Sequence, residues 1–146
     1  MRITNEADYA LQIAYLLAKE GRVMDAGSIS RTVGVTDSFT FKILHKLNGA
    51  GIVSSRKGSS GGYELSVDPC EVSMKRVIEI IDGPIEISRC LDRDCDCSRV
   101  GKNKHECVFH LVFAKLNRQL AERLDAVTLD MVLGDDVDIK SILSKI

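Results

Sequence analysis

The 146-residue chain contains no tryptophan, and aromatic residues make up only 5% of it. So few large rings point to a helical core built from Leu, Ile, Val and Ala. No apolar run approaches the ~20 residues that a membrane span needs. The N-terminus, with Glu6 and Asp8 near its start, lacks the charged–apolar–small order of a signal peptide. Both absences point to the cytoplasm, where thiols stay reduced. No Cys-x-x-Cys motif exists and no nucleophile–base pair is evident, so an enzyme is not expected. The net charge of −1 gives no global sign of a nucleic-acid partner.

The distribution of charge is more telling. Residues 1–66 hold eight Lys/Arg and six Asp/Glu, a net of +2, and the remainder is net −3. Ser38–Tyr63 contains Lys42, Lys46, Arg56 and Lys57 and no acid. Such a stretch can neutralise phosphates on an otherwise neutral protein.

Apolar periodicity predicts a first helix over 5–19, capped by Thr4 or Asn5, and a short one over Ala26–Val33. Gly34-Val35-Thr36-Asp37 reads as a tight turn in which Thr36 or Asp37 caps a third helix reaching about Ala50. Phe39, Ile43, Leu44 and Leu47 form its inward face. Two helices joined this way make a helix-turn-helix candidate. Ile52–Ser55 and Tyr63–Leu65 read as strands around the basic, glycine-rich turn 56–62. A hairpin of that kind directly after a recognition helix is a wing. It is not a nucleotide-binding loop, because no helix follows it and the Gly-Lys-Ser/Thr ending is missing.

After Asp68-Pro69 a helix is expected over Ser73–Asp82, then a cysteine-rich loop over 90–106. A long helix follows from about Cys107 to Ala126, with Phe109, Val112, Phe113, Leu116, Leu120 and Leu124 as its apolar stripe. Short helices near Thr128–Leu133 and Ile139–Lys145 finish the chain. The long helix suits packing against a second copy, since a two-fold dimer matches a palindromic DNA site. Cys90, Cys95, Cys97 and Cys107 lie with His110 inside 21 residues. Clustered thiolates of this sort hold zinc or an iron–sulfur centre.

Taken together, these motifs resemble the Rrf2 family of winged-helix iron–sulfur regulators, the IscR/NsrR type. The resemblance is carried by Met1-Arg2-Ile3-Thr4, by Leu47–Val53, by Gly58-Ser59-Ser60-Gly61-Gly62-Tyr63-Glu64-Leu65, by Val77-Ile78-Glu79 with Gly83-Pro84, and by the cysteine loop entering a Leu-rich helix. It implies a mainly α fold with a small β-wing. Residues 1–66 would be the winged helix-turn-helix, 67–89 a linking helix and turn, 90–106 the cluster loop and 107–146 the dimerisation segment. It also implies a homodimeric, DNA-binding transcriptional regulator, a repressor in the leading reading. The alternatives are a cluster-free member acting in cysteine or sulfur metabolism, and a zinc-binding regulator.

For the cluster, [2Fe–2S] or [4Fe–4S], the resemblance maps ligands onto Cys90 and Cys107, with Cys97 or Cys95 between them. His110 and Asp8 are the alternative fourth ligands, Asp8 from the partner subunit. Cys70, outside the loop, is expected to be buried or half-buried. For DNA, Ser38, Thr40 and Lys42 are the expected groove contacts, with His45 and Lys46 nearer the backbone. Arg56, Lys57 and Ser59 would reach the minor groove or phosphates. Phe41 departs from the polar or acidic residue usual in the family. It can touch a thymine methyl or complete the core.

Overall fold

The computed structural model describes residues 2–92, 95, 107–134 and 137–146. Helix α1 (Asn5–Glu20) starts where the Thr4 hydroxyl accepts the Ala7 N–H at 3.2 Å. Its buried face is Ala7, Ala10, Ile13, Ala14 and Leu17, three and four residues apart as one helical face requires. Helix α2 (Ala26–Val33) is capped by Asp25 and α3 (Asp37–Gly49) by Thr36. Between them Gly34 takes φ 78°, a left-handed turn that reverses the chain. The helix-turn-helix and the Thr36 cap fall where the sequence puts them, and Asp25 adds a cap that the apolar pattern did not mark.

Strands β1 (Val53–Arg56) and β2 (Gly62–Leu65) pair antiparallel, Val53 opposite Leu65 and Arg56 opposite Gly62. Both begin one residue later or earlier than the apolar pattern suggests, because the ladder extends toward the turn. The wing does not stand free. Tyr63 and Met24 exchange two backbone hydrogen bonds, of 2.8 and 2.9 Å, which add the α1–α2 connection as a third edge. Gly62 makes this approach possible: a Cβ there would lie 2.3 Å from the Met24 carbonyl oxygen.

A 3-10 turn at Pro69–Glu71 leads into α4 (Met74–Asp82). Val72, Val77 and Leu129 share one core with Ile13, Leu17, Ile29, Ile43, Leu44, Leu47 and Ile52. Each such Leu, Ile or Val contributes about 1.5–3 kcal/mol on burial. The core therefore continues past residue 66, and α4 is an integral wall of it rather than only a link. Asp82, at the end of α4, accepts the Thr4 N–H at 3.0 Å and the Thr4 hydroxyl at 2.5 Å.

A second 3-10 turn, Arg89–Leu91, docks on the start of α5 (Val108–Asp125). At its far end α5 returns to the core. Met74 donates to the Val127 carbonyl at 2.8 Å and Leu129 to that of Val72 at 2.9 Å. The Ser73 hydroxyl donates to Asp125 at 2.6 Å. Helices α6 (Leu129–Val132) and α7 (Ile139–Lys145) follow, with Asp138 capping α7 through the Ser141 N–H. No helix among the described residues is long and apolar enough to cross a membrane.

Candidate functional site

Two surfaces carry the candidate residues. The first is the outer face of α3 with the wing. Ser38, Phe41, Lys42 and His45 are exposed along α3, and Arg56, Lys57 and Ser59 are exposed in the wing. Thr40 is not. It is fully buried, its hydroxyl lacks a hydrogen-bond partner among the described residues, and it lines the inner face with Ile43, Leu44 and Leu47. The expected groove contact at Thr40 is thus corrected, because the spacing 40–43–44–47 belongs to one buried face. Phe41 does not complete the core either: it is 50% exposed and meets Tyr63 edge-on, with ring centroids 6.5 Å apart. That contact bridges recognition helix and wing.

The basic stretch, free of acids in sequence, acquires two in space. Lys42 donates to Glu6 of α1 at 2.7 Å, and Lys46 lies 2.7 Å from the other Glu6 oxygen. Partial burial pushes the Glu6 carboxyl up, but its bonds and charge contacts with Lys42 and Lys46 outweigh this and hold it below the ordinary value. In the wing, Arg56 pairs with Glu64 at 2.7 Å. Sequence reasoning missed the Glu6 pairing, since Glu6 lies 36 residues from Lys42 and nothing local announces it, whereas Glu64 is only eight residues from Arg56 across the hairpin.

The second surface lies at the start of α5. Cys107 is its N-cap residue and His110 stands on its first turn. The His110 ring, through Nδ1, lies 3.1 Å from the carbonyl oxygen of Cys90. A carbonyl can only accept, so Nδ1 is the donor in this bond. Cys90 Sγ is 3.3 Å from the Ser88 hydroxyl. Asn117, seven residues beyond His110, makes two bonds to the same incoming segment. Its Nδ2 donates to Ile85 O at 2.7 Å, and its Oδ1 accepts from Ile87 N at 3.0 Å.

The His110 bond holds the Cys90 backbone against the first turn of α5, which begins at Cys107. Cys95 is half-buried nearby in sequence, its N–H donating to the Asp92 carbonyl. Cys97, and His105 with it, lie outside the described residues. Asp8 belongs to a different place: it is exposed on α1 and accepts from Gln12 at 3.1 Å. Among the described residues alone, no group of three or more His, Cys, Asp or Glu could hold a metal ion. The donor types still suit a cluster, since thiolates plus one imidazole are known iron–sulfur ligands. A ring whose other nitrogen is fixed by a carbonyl is the arrangement that orients a metal-ligating histidine. Cys70 corrects its expectation by being exposed, and hydrogen bonding to Asp68 pushes its thiol pKa up.

A winged helix-turn-helix with an exposed, partly basic reading face defines a DNA-binding regulator. Residues 3–135 match the Rrf2 family of iron-dependent transcriptional regulators, and the chain belongs to that family. It is not an enzyme family. An rrf2-like HTH-type transcriptional regulator of Rhodobacter capsulatus is 33% identical over 142 residues, covering 90% of this chain and 92% of its own. The HTH-type transcriptional regulator IscR of Aliivibrio salmonicida is 29% identical, covering 93% and 79%. Among solved structures, CymR (YrzC), the global cysteine regulator of B. subtilis, superposes with a TM-score of 0.71 at 25% identity, covering 89% and 94%.

Proposed function

We propose that this regulator is a homodimeric repressor that senses redox, nitric-oxide or iron–sulfur status through a cluster on the loop cysteines. The observation that supports the reading is the bond between His110 and the Cys90 carbonyl, which holds the chain at Cys90 against the first turn of α5, next to Cys107. Cys90, Cys97 and Cys107 supply the thiolates and His110 the fourth ligand, with Cys95 the alternative to Cys97. Asp8, exposed on α1, is the alternative fourth ligand, supplied from a partner subunit. A bound cluster supplies a centre whose charge and integrity change with oxidant, nitric oxide or iron supply. The chain's part is to fix Cys107 and His110 at the start of α5 and to connect that helix to the reading head.

The dimer is proposed from α5 itself. No residue of this 18-residue helix is buried, and Val108 and Phe109 are 70% and 74% exposed. With Leu111, Val112 and Leu116 they leave an apolar face that a second copy would cover. Two reading heads related by a two-fold axis suit a palindromic operator. Thiolates persist as ligands in a reducing compartment, consistent with the cytoplasm.

Visible absorption with iron and sulfide analysis, on protein purified without air from iron-replete cells, tests the reading. Charge-transfer bands with matching iron and sulfide support it. A colourless protein holding zinc, or no metal, would instead favour the zinc-bound or cluster-free alternative; similarity to the cysteine regulator CymR favours the cluster-free one.

A further inference from the structure

Lys42 and Lys46 are the two lysines of α3, and one carboxylate takes both. Each ammonium lies 2.7 Å from a Glu6 oxygen. The Glu6 side chain is only 16% exposed, while that of Lys42 is 56% exposed. The acid is therefore set into the protein, and the cation extends from it toward the face bearing Ser38, Phe41 and His45. Lys46 is further held by donating to the Ile81 carbonyl at 3.3 Å. Helix α1 fixes the carboxylate from behind, because Ala7 and Ala10 beside it are fully buried. This is no pair of loose surface chains.

We propose that Glu6 is a specificity-setting residue, an internal stand-in for a DNA phosphate that holds Lys42 on the reading face and withholds it from phosphates. The inference rests on reading α3 and the wing as the DNA interface. Lysine is a point charge on a flexible four-carbon stem, able to follow any phosphate within reach. Sequence-independent affinity comes from such contacts through counterion release. A lysine already neutralised by a carboxylate releases fewer counterions on meeting DNA, and the phosphate must approach a like charge. Base-edge contacts are affected differently. Fixing Lys42 beforehand removes part of the ordering cost of a directed contact. Glu6 thus lowers binding to arbitrary DNA more than binding to a matched site.

The test uses two duplexes, one selected from a random pool by the full-length protein and one scrambled, followed by fluorescence anisotropy at several salt concentrations. Glu6→Gln keeps the shape and removes the charge. Scrambled-duplex affinity is expected to rise about three- to tenfold at low salt, with the salt slope steeper by roughly one phosphate contact. Affinity for the selected duplex should change less, so the ratio of the two shrinks. In a Lys42→Gln background most of the gain should vanish. Unchanged or weaker scrambled binding by a Glu6→Gln protein of normal circular dichroism overturns the proposal, as does an undiminished gain without Lys42. A wild-type protein that selects no duplex at all would instead sink the DNA-interface reading beneath it.

Discussion

Asn117 Nδ2 donates to the Ile85 carbonyl at 2.7 Å, tying the middle of α5 to the segment that leads into Cys90. The same side chain accepts from Ile87, so one amide satisfies two backbone groups in a part-buried site. Asn117→Ala leaves both without that partner, and the loss should be about 1–3 kcal/mol. Chemical denaturation of the metal-free protein measures it. A midpoint within error of wild type would mean that water replaces the amide at no cost.

The assignment of the fourth ligand separates His110 from Asp8. His110→Ala should lower the iron content of anaerobically purified protein by tenfold or more, on the order of what losing metal-site partners costs. Asp8→Ala should leave it unchanged. The reverse pattern would move the ligand to α1.

Lys57 is the wing cation that makes no ion pair with a described residue, unlike Arg56, which Glu64 holds. Lys57→Ala should weaken DNA binding more at low salt than at high salt, with the slope reduced by about one. Arg56→Ala should do less at low salt. Unchanged low-salt affinity for Lys57→Ala would remove that residue from the interface.

Acid should loosen the α1–α3 junction. The Glu6 carboxyl is pushed up by burial but held below its ordinary value by Lys42 and Lys46. The unfolded chain therefore binds this proton more readily than the folded one. The ion pairs contribute fully above the ordinary glutamate value, and their contribution is lost as pH falls through the lower folded-state value. Thermal unfolding from neutral to acid pH should show a shallower decline for Glu6→Gln than for wild type. Parallel curves would assign the acid sensitivity to other carboxylates.

Assembly is checked at Val112, about half exposed on the α5 face. Val112→Glu should shift the protein to monomer in sedimentation equilibrium and lower its affinity for a two-half-site operator, while a single reading head stays folded. A dimer of unchanged stability would place the interface elsewhere.

Much of the fold was legible because its signals are local. Helix α2 runs over the very residues its periodicity marks, and Thr36 and Gly34 act where their chemistry fits. Thr40 was misread because a hydroxyl looks suited to DNA, whereas its position relative to Leu44 and Leu47 fixes it inward. Cys70 was misread in the opposite sense: cysteines are often buried, but the Asp68-capped turn holds this one outside. Glu6, Met24 and Asn117 gave no signal. Each acts across a long stretch of chain, and charge, amide or bare backbone does not name its partner in advance.

The seam where α5 rejoins the core has a mechanical meaning. Val72–Met74 and Asp125–Leu129 are laced by two backbone bonds and the Ser73–Asp125 bond, right at the first turn of α4. Helix α4 packs in turn on α1 and α3. Helix α5 is held at its start by the Cys90 carbonyl, in its middle through Asn117 and at its far end by this seam. It is thus joined along its length to the segment leading from α4. A strain set up at its cysteine-bearing tip has a continuous path of bonded groups to the recognition helix.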